Sequence, residues 1–232
     1  MSESIRIGIK GLESVFTKSF PVGNCLLLIS PPMSELSIFG LEYIYDGLRR
    51  GEPGVYITLD DSPESLRLKA LKFGWPLMNA EARGLMKWLD VYSIHANRDV
   101  KNTESILRIG GPLALTDLSI AISQIQSGFR RKSNSYRFFF DSLSTLLLYN
   151  SPNTVYRFLQ VITSKLKMSN GVGFFTLGKG MHDEKINMTI RHLMDGTVSL
   201  NEDLELSVIS LPVASDTRFG RLNLTRKGFV FS

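Results

Sequence analysis

Cys25–Ile29, CLLLI, is five apolar residues with no polar interruption. A strand with one wet face alternates apolar and polar residues. An unbroken run is what a strand covered on both faces requires. Similar short runs recur at Val55–Leu59, Tyr136–Phe140 and Val172–Leu177, and helical spacing fills the intervals. Phe39, Tyr43, Ile44 and Leu48 recur at helical spacing across Leu36–Arg50, and Gly51 follows as a C-terminal cap. Ser62-Pro63-Glu64 opens a helix with an N-cap serine and a proline at the first helical position, and that helix runs to about Phe73. Asp117–Phe129 carries Leu118, Ile122 and Ile125 on one side, and Thr154–Met168 carries a stripe of Val155, Phe158, Leu159, Ile162 and Leu166.

Alternating β and α units imply an α/β fold: a mainly parallel sheet, right-handed crossovers and helices on both faces. Met86–Tyr92 reads as a further strand and Asn97–Pro112 as a polar surface segment. After residue 195 the pattern shortens to Thr197–Leu200, Leu204–Leu211 and Arg221–Leu224, which predicts a small antiparallel C-terminal extension. Ligands in parallel sheets sit at the carboxyl ends of strands, so the turn after Ile29 and the position of Asp141 carry the functional weight.

The chain has 232 residues, 43% hydrophobic and 21% charged, which fits one globular domain spanning 1–232. Cys25 is the single cysteine, so no intramolecular disulfide or cysteine metal cluster is expected, and it reads as a small core residue. His95, His182 and His192 show no metal-ligand spacing, and Trp75 and Trp88 read as packing residues. The N-terminal segment lacks the pattern of a secretory signal, and the longest apolar stretches fall far short of the ~20 residues of a membrane helix. A cytoplasmic protein without a membrane partner is expected. The net charge of +5 leaves nucleic acid as a conceivable partner, although the local cluster Arg130-Arg131-Lys132 reads as a solvated loop. The carboxyl end adds Arg218, Arg221, Arg226 and Lys227.

Five segments in order resemble the KaiC-like and RadA-like proteins of the RecA superfamily. Gly8–Glu13 (GIKGLE) resembles that family's opening segment, with glutamate in place of a final aspartate. Tyr45–Glu64 (YDGLRRGEPGVYITLDDSPE) is similar to its G-E-P-G segment and the acidic pair that follows. Phe138–Leu143 (FFFDSL) looks like its Walker B strand, Gly180–Glu184 (GMHDE) like a later signature, and Met194–Leu200 (MDGTVSL) like a following strand. The resemblance implies a RecA-like phosphate-loop core. It also implies ring assembly through the nucleotide edge, with a basic finger reaching across from the last strands. Thr225-Arg226-Lys227-Gly228 is the best match for that finger, with Lys227 standing for its arginine. It places His182 in a structured loop beside the nucleotide, hydrogen-bonded to that loop.

One segment departs from the family. Its phosphate loop reads G-P-P-G-x-G-K-S/T, whose backbone N–H groups cradle phosphate, whose lysine neutralises it and whose hydroxyl binds Mg²⁺. Here the turn is Ser30-Pro31-Pro32-Met33-Ser34-Glu35-Leu36-Ser37. Ser30, Met33 and Glu35 stand at glycine positions, and Leu36 at the lysine. Glycine allows backbone angles and close approaches that bulkier residues forbid. Glu35 puts a negative charge where a polyanion would sit, and two like charges at ~4 Å in an effective dielectric of ~20 cost about 4 kcal/mol. That alone weakens binding roughly a thousandfold. By the resemblance, Asp60 and Asp61 match the acids that orient the attacking water, shortened by one methylene, and Asp141 matches the Mg²⁺-holding acid of Walker B. Asp60 and Asp61 read equally as charges favoured at a helix N-terminus, and Asp141 as a cap acting with Ser142 and Ser144.

The expectation is therefore a pseudo-ATPase with no metal site and no binding of ATP or Mg²⁺. It would serve as a regulatory or scaffold subunit for an active paralogue or for itself. Two alternatives stand beside it: a DNA-binding recombination or repair accessory resembling RadA paralogues, and a weak ATP-binding ATPase.

Overall fold

The computed structural model describes residues 4–16, 20–32, 35–96, 101–212 and 217–232. In chain order, β1 (Ser4–Ile5), α1 (Glu13–Phe16) and β2 (Phe20–Pro21) form a small N-terminal unit in which the two strands pair antiparallel. Then come β3 (Cys25–Ser30), α2 (Glu35–Arg49), β4 (Gly54–Thr58), α3 (Pro63–Lys72), α4 (Met78–Ala82), β5 (Met86–Asp90), α5 (Ser93–Ala96) and β6 (Ile106–Arg108). The chain continues through α6 (Leu115–Arg130), β7 (Tyr136–Asp141), α7 (Leu143–Tyr149), α8 (Pro152–Met168), β8 (Gly171–Gly178) and α9 (Glu184–His192). It closes with β9 (Gly196–Leu200), β10 (Glu205–Ser210), β11 (Phe219–Thr225) and β12 (Gly228–Phe231).

Ten of these strands make one sheet, in the order β12-β11-β10-β9-β3-β8-β7-β4-β5-β6. From β9 to β6 every pairing is parallel, and from β9 to β12 every pairing is antiparallel. The unbroken apolar runs serve two layers at once. Leu26, Leu28, Tyr56 and Phe139 face the core under α2 and α3, while Cys25, Leu27, Val55, Ile57, Phe138 and Phe140 face the core under α6, α7 and α8. Trp75, Trp88 and Cys25 are all buried.

Arg137, at the start of β7, is fully buried. Its Nε donates to Glu52 at 2.7 Å, and its terminal nitrogens reach Asp46 at 3.1 Å and the carbonyls of Arg6, Ile7 and Tyr43. One side chain thus ties the N-terminal segment, α2 and the Glu52 turn to the sheet. Gly47 makes room for it, since a Cβ there would lie 2.3 Å from Arg137 Nε.

Three sequence expectations need correction. Residues 97–100 lie outside the described residues, and the rest of the expected surface segment contributes the edge strand β6. Residues of that same segment close the edge: Ile106 N–H donates to Thr103 Oγ1, Arg108 N–H to Asn102 Oδ1, and Thr103 N–H to Ile106 O. Second, Gly196–Leu200 belongs to the parallel block through β3, and the antiparallel extension begins with β10. Third, the basic triplet is solvated as expected but is not all loop: Arg130 ends α6, while Arg131 and Lys132 are exposed turn residues, with Lys132 Nζ donating to the carbonyls of Arg83 and Gly84. No helix of the described residues is long and apolar enough to cross a membrane.

Candidate functional site

The carboxyl ends of β3, β4, β7 and β8 open on a cleft of about 350 Å³ whose polar lining includes Ser30, Ser37, Asp60, Asp61, Lys69 and Asp141. Ser30 and Asp141 end β3 and β7, Asp60 and Asp61 follow β4, and Ser37 and Lys69 come from α2 and α3. Ser30 ends β3, and its Oγ donates to Pro31 O at 2.9 Å, while its carbonyl accepts from Lys179 N–H at 2.7 Å. Met33 and Ser34 lie outside the described residues. Glu35 opens α2. Leu36 follows it and is a core residue, 8% exposed, among the apolar side chains beneath α2. Ser37 is also buried, at 7% exposure.

The two aspartates after β4 point to different elements. Asp61 joins the start of α3: its Oδ1 accepts Ser62 N–H at 2.8 Å and its Oδ2 accepts Ser65 Oγ–H at 3.1 Å. Both contacts follow from an acid just ahead of an N-cap serine, where unpaired N–H groups and the helix dipole favour negative charge. Asp60 turns instead toward α7, accepting from Ser142 Oγ at 3.0 Å and from Thr145 Oγ1 at 2.5 Å. Ser142, the N-cap of α7, also accepts from Thr145 N–H.

Asp141 closes the floor. Tyr56 OH donates to it at 2.9 Å and Thr176 Oγ1 at 3.0 Å. Burial is the main force on its carboxyl group and pushes the pKa up to about 6, with the Asp60 charge adding to the rise and the two hydroxyl donors opposing it. Ser144 does not bond to Asp141; its Oγ accepts Gly178 N–H at 2.8 Å.

Sequence reasoning missed Lys69. Its Nζ lies 2.9 Å from Asp61 Oδ2 and donates to Ser37 Oγ at 3.4 Å. Among the described residues lining the cleft it is the one basic side chain. A signal was present: Ser65 and Lys69 stand four apart on one face of α3, and Asp61 lies four residues ahead of Ser65, just before the N-cap.

This donor set is a poor match for a magnesium-bound triphosphate. Leu36 packs against the core and gives the cleft an apolar wall without charge, and the one cation among the described lining residues is engaged by Asp61. An ammonium group already sits against the hydroxyl that would ligate Mg²⁺, and Asp60, Asp61 and Asp141 face the space a polyanion would fill. Among the described residues no three His, Cys, Asp or Glu side chains cluster closely enough to hold a metal ion by themselves.

The remaining candidates lie apart. Arg226 and Lys227 form the exposed tip of the β11–β12 hairpin, on the outermost pair of strands. The side chain of His95 lies outside the described residues. The loop of His182 bonds through the backbone, with Asn187 Nδ2 donating to His182 O, and His182 Nε2 is buried with no hydrogen-bond partner among the described residues.

Comparison with known proteins gives a consistent picture. A family model described as "ATPase: KaiC" matches residues 5–214. A UPF0273 protein of Aeropyrum pernix is 29% identical over 148 residues, which is 64% of this chain and 57% of that protein. The circadian clock oscillator protein KaiC of Parathermosynechococcus lividus is 28% identical over 165 residues, 70% of this chain and 28% of that protein. The chain thus matches less than two thirds of the length of these relatives. The crystal structure of a KaiC-like protein, PH0186 from Pyrococcus horikoshii OT3, superposes with a TM-score of 0.76 at 17% identity and covers 100% of both chains.

Proposed function

The chain belongs to the KaiC family of ATPases, and from that premise we propose that its nucleotide cleft no longer takes ATP and that it acts as a regulatory or scaffold subunit in the cytoplasm. One observation carries this reading: Lys69 spans the cleft from Asp61 to Ser37, while Leu36, at the position of the family's phosphate-binding lysine, packs in the core. The cleft supplies its own counter-charge. A triphosphate would have to separate Lys69 from Asp61 and bring its phosphates against two further aspartates, with no loop lysine in return. Each of these terms opposes binding.

The partner on this reading is an active family member or a second copy of this chain. Light scattering on the chain mixed with an ATP-hydrolysing KaiC-family relative tests it. A mixed assembly whose ATPase rate differs from that of the relative alone supports the proposal. Turnover of ATP by the isolated chain sinks it.

A further inference from the structure

A second cleft lies on the opposite rim of the sheet, between the carboxyl end of α6 and the first residues of β5 and β6. Its volume is about 350 Å³, within the range of small-molecule sites. Leu107, Ile125 and Phe129 supply its apolar floor. Lys87, Arg131 and Lys132 supply its charge, against Glu104 as the one acid in the lining.

Three features set this cleft apart from an accidental groove. Lys87 and Lys132 line the same cleft. Lys87 is held below its ordinary pKa by burial first and then by the Lys132 ammonium group. Both ammonium groups are also oriented, since Lys132 Nζ donates to Arg83 O and Gly84 O and Lys87 Nζ to Glu104 O. Two oriented, mutually repelling cations are a site that an anion would relieve.

The third feature is Gly128. It sits inside α6, where glycine weakens a helix relative to alanine. Its φ is not positive, and a Cβ added there would meet nothing within 4 Å. Neither backbone conformation nor packing within the chain calls for a glycine. Its effect is to leave the cleft open above the apolar floor. The groove's aromatic residue, Phe129, is 2% exposed, so it offers no face for stacking a nucleic-acid base.

We propose that this cleft binds a small amphipathic anion: an apolar body lying over Leu107, Ile125 and Gly128, with a carboxylate or phosphate head between Lys87, Lys132 and Arg131. The site stands at the other end of the strands from the Lys69–Asp61 cleft, so it does not depend on the nucleotide reading.

Octanoate is a suitable probe, titrated into the full chain by calorimetry beside acetate, which lacks the body, and octanol, which lacks the charge. Octanoate is expected to bind saturably in the submillimolar range, with acetate and octanol each weaker by about tenfold or more. G128L, which fills the open space, and the double variant K87Q/R131Q are each expected to weaken octanoate by about tenfold while melting near the wild-type temperature. A polyanion site would instead show a single-stranded oligonucleotide displacing octanoate from the wild type. That displacement would overturn the proposal, as would an absence of saturable binding, equal binding of either control ligand, or wild-type affinity in either folded variant.

Discussion

Lys69 Nζ stands 2.9 Å from Asp61 Oδ2, and the same ammonium group donates to Ser37 Oγ at 3.4 Å. The contact joins α3 to α2 across the mouth of the cleft. It also assigns Asp61 to a structural partner, while Asp60 is held by Ser142 and Thr145. Both acids are thus already hydrogen-bonded or ion-paired within the chain.

Restoring the phosphate loop tests how far this arrangement reaches. The variant S30G/M33G/E35G/L36K recreates the family's loop, and Ser37 and Asp141 remain for Mg²⁺. It is expected to bind Mg·ATP and to hydrolyse it at or below detection, because water placement tolerates errors of only about 1 Å. Brisk turnover by the four-fold variant would show that the paired aspartates are competent as they stand. The variant should also lose roughly 1–3 kcal/mol of stability, since Leu36 leaves the core.

Arg137 predicts the largest stability effect. R137M leaves Glu52 and Asp46 without their buried cation and removes the side-chain bonds to the carbonyls of Arg6, Ile7 and Tyr43. Urea denaturation should show a loss of roughly 3–5 kcal/mol. R137K should recover only part, because an ammonium group lacks the planar fork that serves several acceptors at once. A loss below about 1 kcal/mol would mean that the buried network is not a keystone of the fold.

Glu42 gives a pH dependence. Its carboxylate accepts Phe229 N–H at 2.7 Å and so ties β12 to α2, while burial pushes its pKa up to about 7. A raised carboxyl pKa means that the fold favours the protonated form. Its contribution is fully present below the ordinary value of 4.5 and is lost as pH rises through about 7. Asp141, raised to about 6, acts in the same direction. E42Q keeps an acceptor for Phe229 and removes the charge. Thermal melts should show E42Q more stable than wild type at pH 8 by roughly 1–3 kcal/mol, with the two converging at pH 4. Equal stability at both pH values would contradict the assignment.

Assembly is the fourth test. Without nucleotide at its edge, the isolated chain should scatter light as a monomer or dimer. A homohexamer whose size does not change on dilution would overturn this expectation.

Much of the architecture was legible because burial on both faces leaves an unmistakable mark. Cys25–Ile29 and Tyr136–Phe140 could hardly be anything but central strands, and Ser62-Pro63 announced α3. Elements with weaker burial were harder to see. β6 has three residues, and the polar residues around it read as loop because two of them, Thr103 and Asn102, cap its edge. α9 has a single buried residue, Ile190, with Ile186 and Leu193 only partly buried beside it, so its apolar stripe is short and narrow. In the cleft, Asp60, Asp61 and Asp141 stood out through their place after core strands. Lys69 did not, because its meaning depends on the approach of α3 to α2, a contact between residues 32 positions apart. The register of β9 with β3 was hidden for the same reason: a strand's partner is a long-range fact.

The central claim is that the cleft no longer takes ATP, and calorimetry with Mg·ATP on the purified chain tests it most directly. The account predicts no saturable heat at millimolar nucleotide, with the Lys69–Asp61 pair and the buried Leu36 as the cause. A saturable isotherm with a micromolar dissociation constant would contradict it.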